Sequence, residues 1–333
     1  MISTSCSERI NYSLKPTEAT ILDNLLANVG YSVKKIFKYI GILFGSLTAI
    51  YVVLFIISWF LSGPPRPDAA FFETRDGENN VLVFAHQGGE AIRPTNTMIA
   101  FQHSVDLGTD VLDTDIHMTR DGELILLHDE TVDRTSDGTG AVRDLTLDEI
   151  RQFDFGYNFS TDNNQTFPFR GQGQGIVTVE EFFVEFPDTR LGIEIKQTAP
   201  EAAVKLCDLI TEFGYQDQVL VGSFTQNNMT IFRENCPTVA TSGTESEVRK
   251  FYISQFVGLS GFYSAPFDAL QVPERQNNVP ILTGRFARTA KKQNLKIIPW
   301  TIDETEDFER LTTDFDIDGI NTNYPDRLIE FLS

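Results

Sequence analysis

Beyond residue 80 the chain alternates short apolar runs with stretches of helical spacing. Val81–Phe84, Val111–Ile116, Leu124–Leu127, Arg190–Ile195, Val219–Gly222, Val239–Thr241, Ala269–Val272, Ile297–Trp300 and Asp318–Ile320 have the length and composition of buried strands. Between most of them, Asn96–Leu107, Val179–Phe186, Glu201–Phe213, Gln226–Glu234, Glu245–Leu259, Arg285–Gln293, Glu304–Thr312 and Pro325–Leu332 repeat apolar positions at three and four residues, the spacing of one buried helix face. A strand followed by a helix, repeated about eight times, predicts a parallel sheet, and at this length a closed (β/α)₈ barrel of the TIM type. An open doubly wound sheet has the same periodicity, but no glycine-rich dinucleotide fingerprint follows the first strand. Residues 131–177 break the rhythm with glycine-rich and polar stretches around one brief helical pattern, Leu147–Phe153. That is too long for an ordinary barrel loop and predicts an inserted subdomain over the carboxyl face.

A different pattern stands before residue 80. From Tyr39 to Gly63 there is no charged residue, and the run is apolar almost throughout. About 20 such residues cross a bilayer as a helix, whereas a signal peptide's apolar region is roughly 7–15 residues and ends at a small-residue cleavage site that is not evident here. The expected organisation is a cytoplasmic tail over 1–38, a transmembrane anchor over 39–63, a linker over 64–80 and the barrel over 81–333. Lys34, Lys35 and Lys38 precede the apolar run, so the positive-inside rule puts the tail in the cytoplasm and residues 64–333 on the far side.

The charge balance is 27 basic against 47 acidic residues, a net −20, which excludes nucleic acid as a natural partner. Cys6 falls in the tail, while Cys207 and Cys236 share the far side and could pair if their Cα atoms come within reach; free structural thiols are the preferred reading, Cys207 lying in the apolar stripe of a helix.

Chemistry concentrates at the strand ends. His86-Gln87-Gly88-Gly89 follows the first apolar run, His128-Asp129 follows Leu124–Leu127, and Asp113-Thr114-Asp115 lies on the strand between. Histidine both gives and takes a proton near neutral pH, and two of them beside paired carboxylates form a candidate reaction centre. Glu194 and Lys196, two apart on Gly192–Lys196, point to one side of their strand, as Asp113 and Asp115 do. Three carboxylates in one barrel mouth repel unless a cation sits among them, and all-oxygen ligation favours Mg²⁺ or Ca²⁺. Such an ion with a lysine and two histidines suits hydrolysis of a phosphate ester. The plainer alternatives are a Glu194–Lys196 pair in the barrel wall and Trp300 as core filling.

These residues carry a resemblance to the glycerophosphodiester phosphodiesterase family, whose ordered pattern is His-Arg-Gly, Pro-Glu-Asn-Thr, Glu-x-Asp, His-Asp and Glu-x-Lys. The chain reads His86-Gln87-Gly88, Pro94-Thr95-Asn96-Thr97, Asp113-Thr114-Asp115, His128-Asp129 and Glu194-Ile195-Lys196, and similarity continues to Trp300-Thr301 and Asp318–Pro325. The resemblance implies hydrolysis of glycerophosphodiesters to an alcohol and glycerol 3-phosphate, with His86 and His128 as the acid/base pair. It implies Asp113, Asp115 and Glu194 as holders of a divalent cation, and contacts to substrate from residue 87, Lys196 and Trp300. It also implies that Leu124–Leu127 and residues 131–177 belong to an insertion after the second strand.

Four positions depart from the pattern: Gln87 for arginine, Thr95 for glutamate, Asp113 for glutamate and Asn323 for aspartate. Two rival readings follow, a lysophospholipase D type of enzyme whose substrate is a lysolipid phosphodiester rather than a small molecule, and a catalytically silent barrel that binds glycerol phosphates. Phe153, Phe155, Phe159, Phe167 and Phe169 are candidates for lipid contact or for the insertion's own core.

Overall fold

The computed structural model describes residues 18–61, 65–73 and 80–333. Residues 1–17 of the tail, with Cys6, and residues 64 and 74–79 of the expected linker lie outside them. The described chain separates into two units, Met1–Ile57 and Ser58–Ser333.

The first unit is the greater part of one helix, α1 (Glu18–Phe60). Over Asp23–Phe60 it is long and apolar enough to cross a membrane, and side chains such as Ile36, Ile40, Leu47 and Val53 are uncovered by protein. The helix starts some twenty residues before the expected span, because nothing between Glu18 and Tyr39 breaks it: Lys34, Lys35 and Lys38 are good helix formers.

In the second unit the strands are β1 (Leu82–His86), β2 (Val111–Met118), β3 (Leu124–Leu126), β4 (Arg190–Ile195), β5 (Val219–Gly222), β6 (Ala240–Thr241), β7 (Ala269–Val272), β8 (Arg275–Gln276), β9 (Val279–Pro280), β10 (Lys296–Pro299) and β11 (Gly319–Thr322). The helices are α2 (Met98–Leu107), α3 (Leu147–Ile150), α4 (Val179–Glu185), α5 (Pro200–Phe213), α6 (Gln226–Asn235), α7 (Glu245–Phe256), α8 (Gly284–Lys292), α9 (Thr305–Asp314) and α10 (Pro325–Leu332). Parallel pairing runs β11-β1-β2-β4-β5-β6, and β7 pairs with β10. A parallel bridge from Ser242 to Ala269 joins β6 to β7. Between β10 and β11, Asp318 N–H donates to Ile297 O at 2.9 Å, and the Asp318 carboxylate accepts from Ile297 N–H at 2.8 Å. Eight parallel strands thus close a TIM-type barrel.

Period-two alternation decides what fills it. Leu82, Phe84, Val111, Leu220, Ala240, Ala269 and Ile298 form one apolar cluster, and Phe71 from a short turn before β1 joins it. Gly319 makes room there, since a Cβ at that position would stand 2.7 Å from the Phe84 ring. Two residues further along the same strands, on the same side, come His86, Asp113 and then Asp115. The barrel is apolar at its amino end and charged at its carboxyl end.

Leu124–Leu127 is not a barrel strand. β3 runs antiparallel to β2, with His117 opposite Ile125, so His128 arrives at the barrel mouth on a hairpin arm. The apolar run misled because an antiparallel arm buried on both faces has the same signature as a barrel strand. Segment 119–178 carries a cluster of its own, with Ile125, Leu127, Val132, Val142, Ile150, Phe155 and Ile176 buried together and Phe153 packed on it.

The cysteines also differ from expectation. Cys207 of α5 and Cys236, directly after α6, form a disulfide with Cα atoms 5.8 Å apart. The apolar stripe that holds Cys207 packs against α6, which brings the second thiol to it.

Candidate active site

A cavity of about 590 Å³ opens at the carboxyl end of the barrel, and His86, Asp113, Asp115, His128, Glu194, Lys196 and Trp300 all line it. Gln87, the eighth residue singled out from sequence, does not line it and is buried.

Register brings the carboxylates together. β1 sets His86 beside Asp113, and β2 against β4 sets Asp113 beside Gly192 and Asp115 beside Glu194. Gly192 is required: any Cβ there would collide with the Asp113 carboxylate. Asp113 Oδ2 accepts from Asn321 Nδ2 at 2.8 Å. Burial pushes the Asp113 carboxyl up to about 7; the positive charge of His86 opposes this, and the neighbouring Asp115 and Glu194 reinforce it. Lys196 Nζ lies 3.0 Å from Asp115 Oδ1 and 2.9 Å from Glu194 Oε2. Their other oxygens, Asp115 Oδ2 and Glu194 Oε1, are buried without a hydrogen-bond partner. Among the described residues no group of three His, Cys, Asp or Glu side chains already forms a ligand set. The ammonium of Lys196 is the cation these two carboxylates share, and the orphaned oxygens give a hard cation a place to bind.

His86 is held by a chain of polar groups. Its Nδ1–H donates to Asn323 Oδ1 at 2.7 Å, and Asn323 Nδ2–H donates to Asp303 Oδ2 at 2.9 Å. Glu90 Oε2 lies 3.5 Å from the same Nδ1. Burial alone would lower the His86 pKa, but Glu90 and the charges of Asp113 and Asp115 outweigh it and raise it to about 9. Gln87 Nε2 lies 3.3 Å from His86 Nε2, and Thr95 Oγ1–H donates to Gln87 Oε1 at 2.6 Å. Turned over, the Gln87 amide offers Oε1 to a protonated Nε2 and its NH₂ to Thr95, so it serves the histidine in both protonation states. An arginine at 87 donates only.

His128 is more exposed. Its Nδ1–H donates to Asp129 Oδ1 at 2.7 Å, and Arg134 Nε donates to Asp129 Oδ2 at 2.6 Å. His117, buried beneath, donates Nε2–H to the backbone oxygen of His128 at 3.2 Å. His103 lies elsewhere, 3.5 Å from Arg93. Sequence reasoning missed Glu90, Asp303, Asn321 and the support from His117. Glu90 had a signal, one turn beyond His86; Asp303 had none, because its link to His86 runs through a residue twenty positions away.

The barrel mouth gathers two histidines, three carboxylates and a lysine, and comparison with known proteins gives the class of enzyme. The glycerophosphoryl diester phosphodiesterase family model matches residues 86–327. A glycerophosphodiester phosphodiesterase of Caldanaerobacter subterraneus is 31% identical over 258 residues, 75% of this chain and 97% of that one. The mouse glycerophosphodiester phosphodiesterase 1 is 33% identical over 162 residues, 48% of this chain and 47% of its own. Among solved structures, a glycerophosphoryl diester phosphodiesterase domain from Mycobacterium tuberculosis superposes with a TM-score of 0.67 at 17% identity, covering 77% of this chain and all of that one. An Oleispira antarctica phosphodiesterase in complex with the product sn-glycerol-3-phosphate gives 0.59 at 18%, covering 75% and 96%. This chain belongs to the glycerophosphoryl diester phosphodiesterase family and is a phosphodiester hydrolase.

Proposed function

We propose that the protein hydrolyses glycerophosphodiesters to an alcohol and glycerol 3-phosphate with His86 and His128 as acid and base and a divalent cation held by Asp113, Asp115 and Glu194. The observation that carries this is the convergence of these five side chains and Lys196 on one cavity. The cation, Mg²⁺ or Ca²⁺ by its all-oxygen donor set, supplies charge neutralisation at the phosphate when bound. Its fit rests on the two orphaned carboxylate oxygens and on the Asp113 carboxyl, which burial raises to about 7.

The protein's own groups divide the remaining work. Lys196 Nζ, which reaches two carboxylates here, lies where it can turn to a phosphate oxygen. His86, held through Nδ1 by Asn323 and beside Glu90, gives a proton to the departing alkoxide. His128, oriented through Nδ1 by Asp129, takes the proton of the attacking water at Nε2. Trp300 forms one wall, edge-on to Phe224 with ring centroids 6.2 Å apart. Gln87 acts through His86 rather than on substrate.

The same reading takes residues 39–63, of which 39–60 lie in α1, as a retained anchor, 64–333 as extracytoplasmic and 131–177 as a subdomain inserted over the barrel mouth. It is supported by the apolar length of α1, the lysines before its uncharged stretch and the disulfide, a bond of oxidising compartments.

Full-length protein with added Mg²⁺ or Ca²⁺ should release glycerol 3-phosphate from glycerophosphocholine. Asp113→Asn and Glu194→Gln should lower turnover and recover part of it at higher cation concentration. Full wild-type turnover in excess chelator, with no ion found by elemental analysis, would remove the cation from this account.

A further inference from the structure

One side chain joins the supports of both histidines. Arg134 donates to Asp129 Oδ2 at 2.6 Å and Oδ1 at 3.2 Å and to Glu90 Oε1 at 3.3 Å, and these are the carboxylates beside His128 and His86. Arg134 and Glu90 also line a second cavity, of about 800 Å³, which shares no residue with the catalytic one. In a chain of net −20 this cavity is basic: Arg93, Arg134 and Arg327 line it, against Glu90 as its one carboxylate among the described residues. Arg93 and Arg327 have no acidic partner among the described residues. Arg93 donates to Ile92 O at 2.7 Å, and Arg327 lies over the Tyr324 ring, 3.6 Å from its centroid, and reaches Asp303 O at 3.5 Å. Guanidinium groups without carboxylates in a cavity wall are ready donors to an oxyanion. Thr135 is a second, independent sign: it lines the cavity at 6% exposure, and its side-chain oxygen is buried without a hydrogen-bond partner. The backbone on either side of it is fixed, since Asn158 Nδ2 donates to Arg134 O at 3.1 Å and to Ser136 O at 2.8 Å. Ile92, Phe155 and Phe159 give the cavity an apolar margin, so it has room and surface for a small organic anion as well as a bare ion.

We infer that this second cavity binds a phosphate group, free or as a monoester, on Arg93, Arg134, Arg327 and Thr135, and that the bound anion slows turnover by competing for Arg134. The slowing rests on the hydrolase reading above; the binding does not. The three arginines come from separate parts of the fold: Arg93 lies before α2, Arg134 in segment 119–178 and Arg327 in α10. Donors converging from three sides match a tetrahedral dianion, which has more acceptor oxygens than a carboxylate. A dianion there competes with Asp129 and Glu90 for Arg134, and a weaker hold on Asp129 leaves His128 less well oriented. The effect falls on kcat rather than KM, because Asp113, Asp115, Glu194, Lys196 and Trp300 all line the other cavity.

The test uses full-length protein with Mg²⁺, glycerophosphocholine as substrate, and inorganic phosphate or glycerol 3-phosphate as the added anion at constant ionic strength. Saturating anion should lower kcat for choline release by about three- to tenfold, short of the roughly 10²–10⁴ that losing an acid/base group costs. Competition at the catalytic cavity raises KM alone and is read apart from this. The double variant Arg93→Gln/Arg327→Gln should lose the kcat effect and keep any KM effect. The anion with the lower half-effect concentration identifies the source of the phosphate group. Labelled inorganic phosphate should bind the wild type with one equivalent that the double variant lacks; if that variant does not fold, Arg327→Gln alone, at an exposed position, should weaken the same equivalent. Equal phosphate binding by wild type and variants overturns the site. An unmoved kcat beside that extra equivalent overturns the slowing and leaves the site. No turnover of any glycerophosphodiester sinks the hydrolase reading, and the binding comparison then still decides the cavity.

Discussion

His86 and His128 are held in different ways, and the difference sorts the residues around them. His86 sits in a fixed polar chain from Asp303 through Asn323, whereas His128 rides on an exposed arm steadied by Asp129 and by the His117 bond to its backbone. Replacing either by alanine should cost about 10²–10⁴ in kcat, one acid/base contribution, with little change in melting temperature. The double variant should be hardly worse than the poorer single one, because members of a catalytic unit do not add. A nitrophenyl ester, whose leaving group needs no proton, should rescue His86→Ala and not His128→Ala; the opposite rescue exchanges their roles. His103 and His117 lie on the neighbouring elements α2 and β2, and replacing each by alanine is a natural control. Only His103→Ala should behave as one, since His117→Ala removes a prop from His128. The departures at 87 and 95 are likewise one event, a hydrogen-bonded neutral pair standing where the family pattern has arginine and glutamate. Gln87→Arg alone should therefore lower both stability and kcat, and adding Thr95→Glu should restore much of each. A coupling energy below about 0.5 kcal/mol, the scatter expected of independent sites, would show that the two positions do not act together.

Elements were legible where one period ran cleanly. β4, β5, β7 and α10 have the bounds that their apolar pattern gives, since each is a buried strand or a one-faced helix with turn residues at its ends. β1 runs on to His86 because pairing continues beyond the last apolar residue. The β8–β9 hairpin was invisible: Arg275–Gln276 and Val279–Pro280 are exposed and offer no alternation, and the turn rests on Asn277 and Asn278, both at positive φ. Ends of helices carry stability that pattern alone does not reveal. Glu247, at the third position of α7, accepts from Arg233 at 2.7 and 3.2 Å, from Gln226 and from the Thr244 N–H. Burial would raise its carboxyl, but these donors outweigh it and hold the pKa below the usual range. A lowered carboxylate stabilises the fold above its unfolded pKa, near 4.5, and loses that contribution as pH falls through the folded value. Glu247→Gln should accordingly cost about 1.5–3 kcal/mol at pH 7, the range for bonds to a charged group. In thermal melts the gap from wild type should narrow as the pH falls below 4.5; a gap that stays constant with pH would mean that packing, not charge, does the stabilising.

At the scale of the whole molecule two units of opposite character share one chain, a bare apolar helix and an acidic barrel carrying a disulfide. Neither feature alone fixes where the barrel lies, since a cleaved signal also begins as an apolar helix. Together they constrain it. With 27 basic and 47 acidic residues, the positive charge next to the apolar stretch is concentrated in Lys34, Lys35 and Lys38, which favours retention of the amino-terminal side in the cytoplasm. On the proposed topology the barrel would face a compartment where Cys207 and Cys236 stay oxidised, and closing the segment between them, 29 residues apart, adds up to about 3–4 kcal/mol. Protease added to intact cells or sealed right-side-out vesicles should digest residues 64–333 and spare the tail. In the same sample a denatured barrel fragment should take up a thiol reagent only after reduction, at two sites, Cys207 and Cys236. A protected barrel with two thiols free from the start would reverse the topology, because both observations would then report a reducing interior. A soluble barrel whose first residue lies near 64, with the disulfide intact, would instead keep the compartment and turn the apolar helix into a signal that is removed. The double variant Cys207→Ser/Cys236→Ser separates the contribution of the bond from that of the compartment. It should melt lower than wild type and keep its turnover of glycerophosphocholine at low temperature, since neither sulfur lines the catalytic cavity.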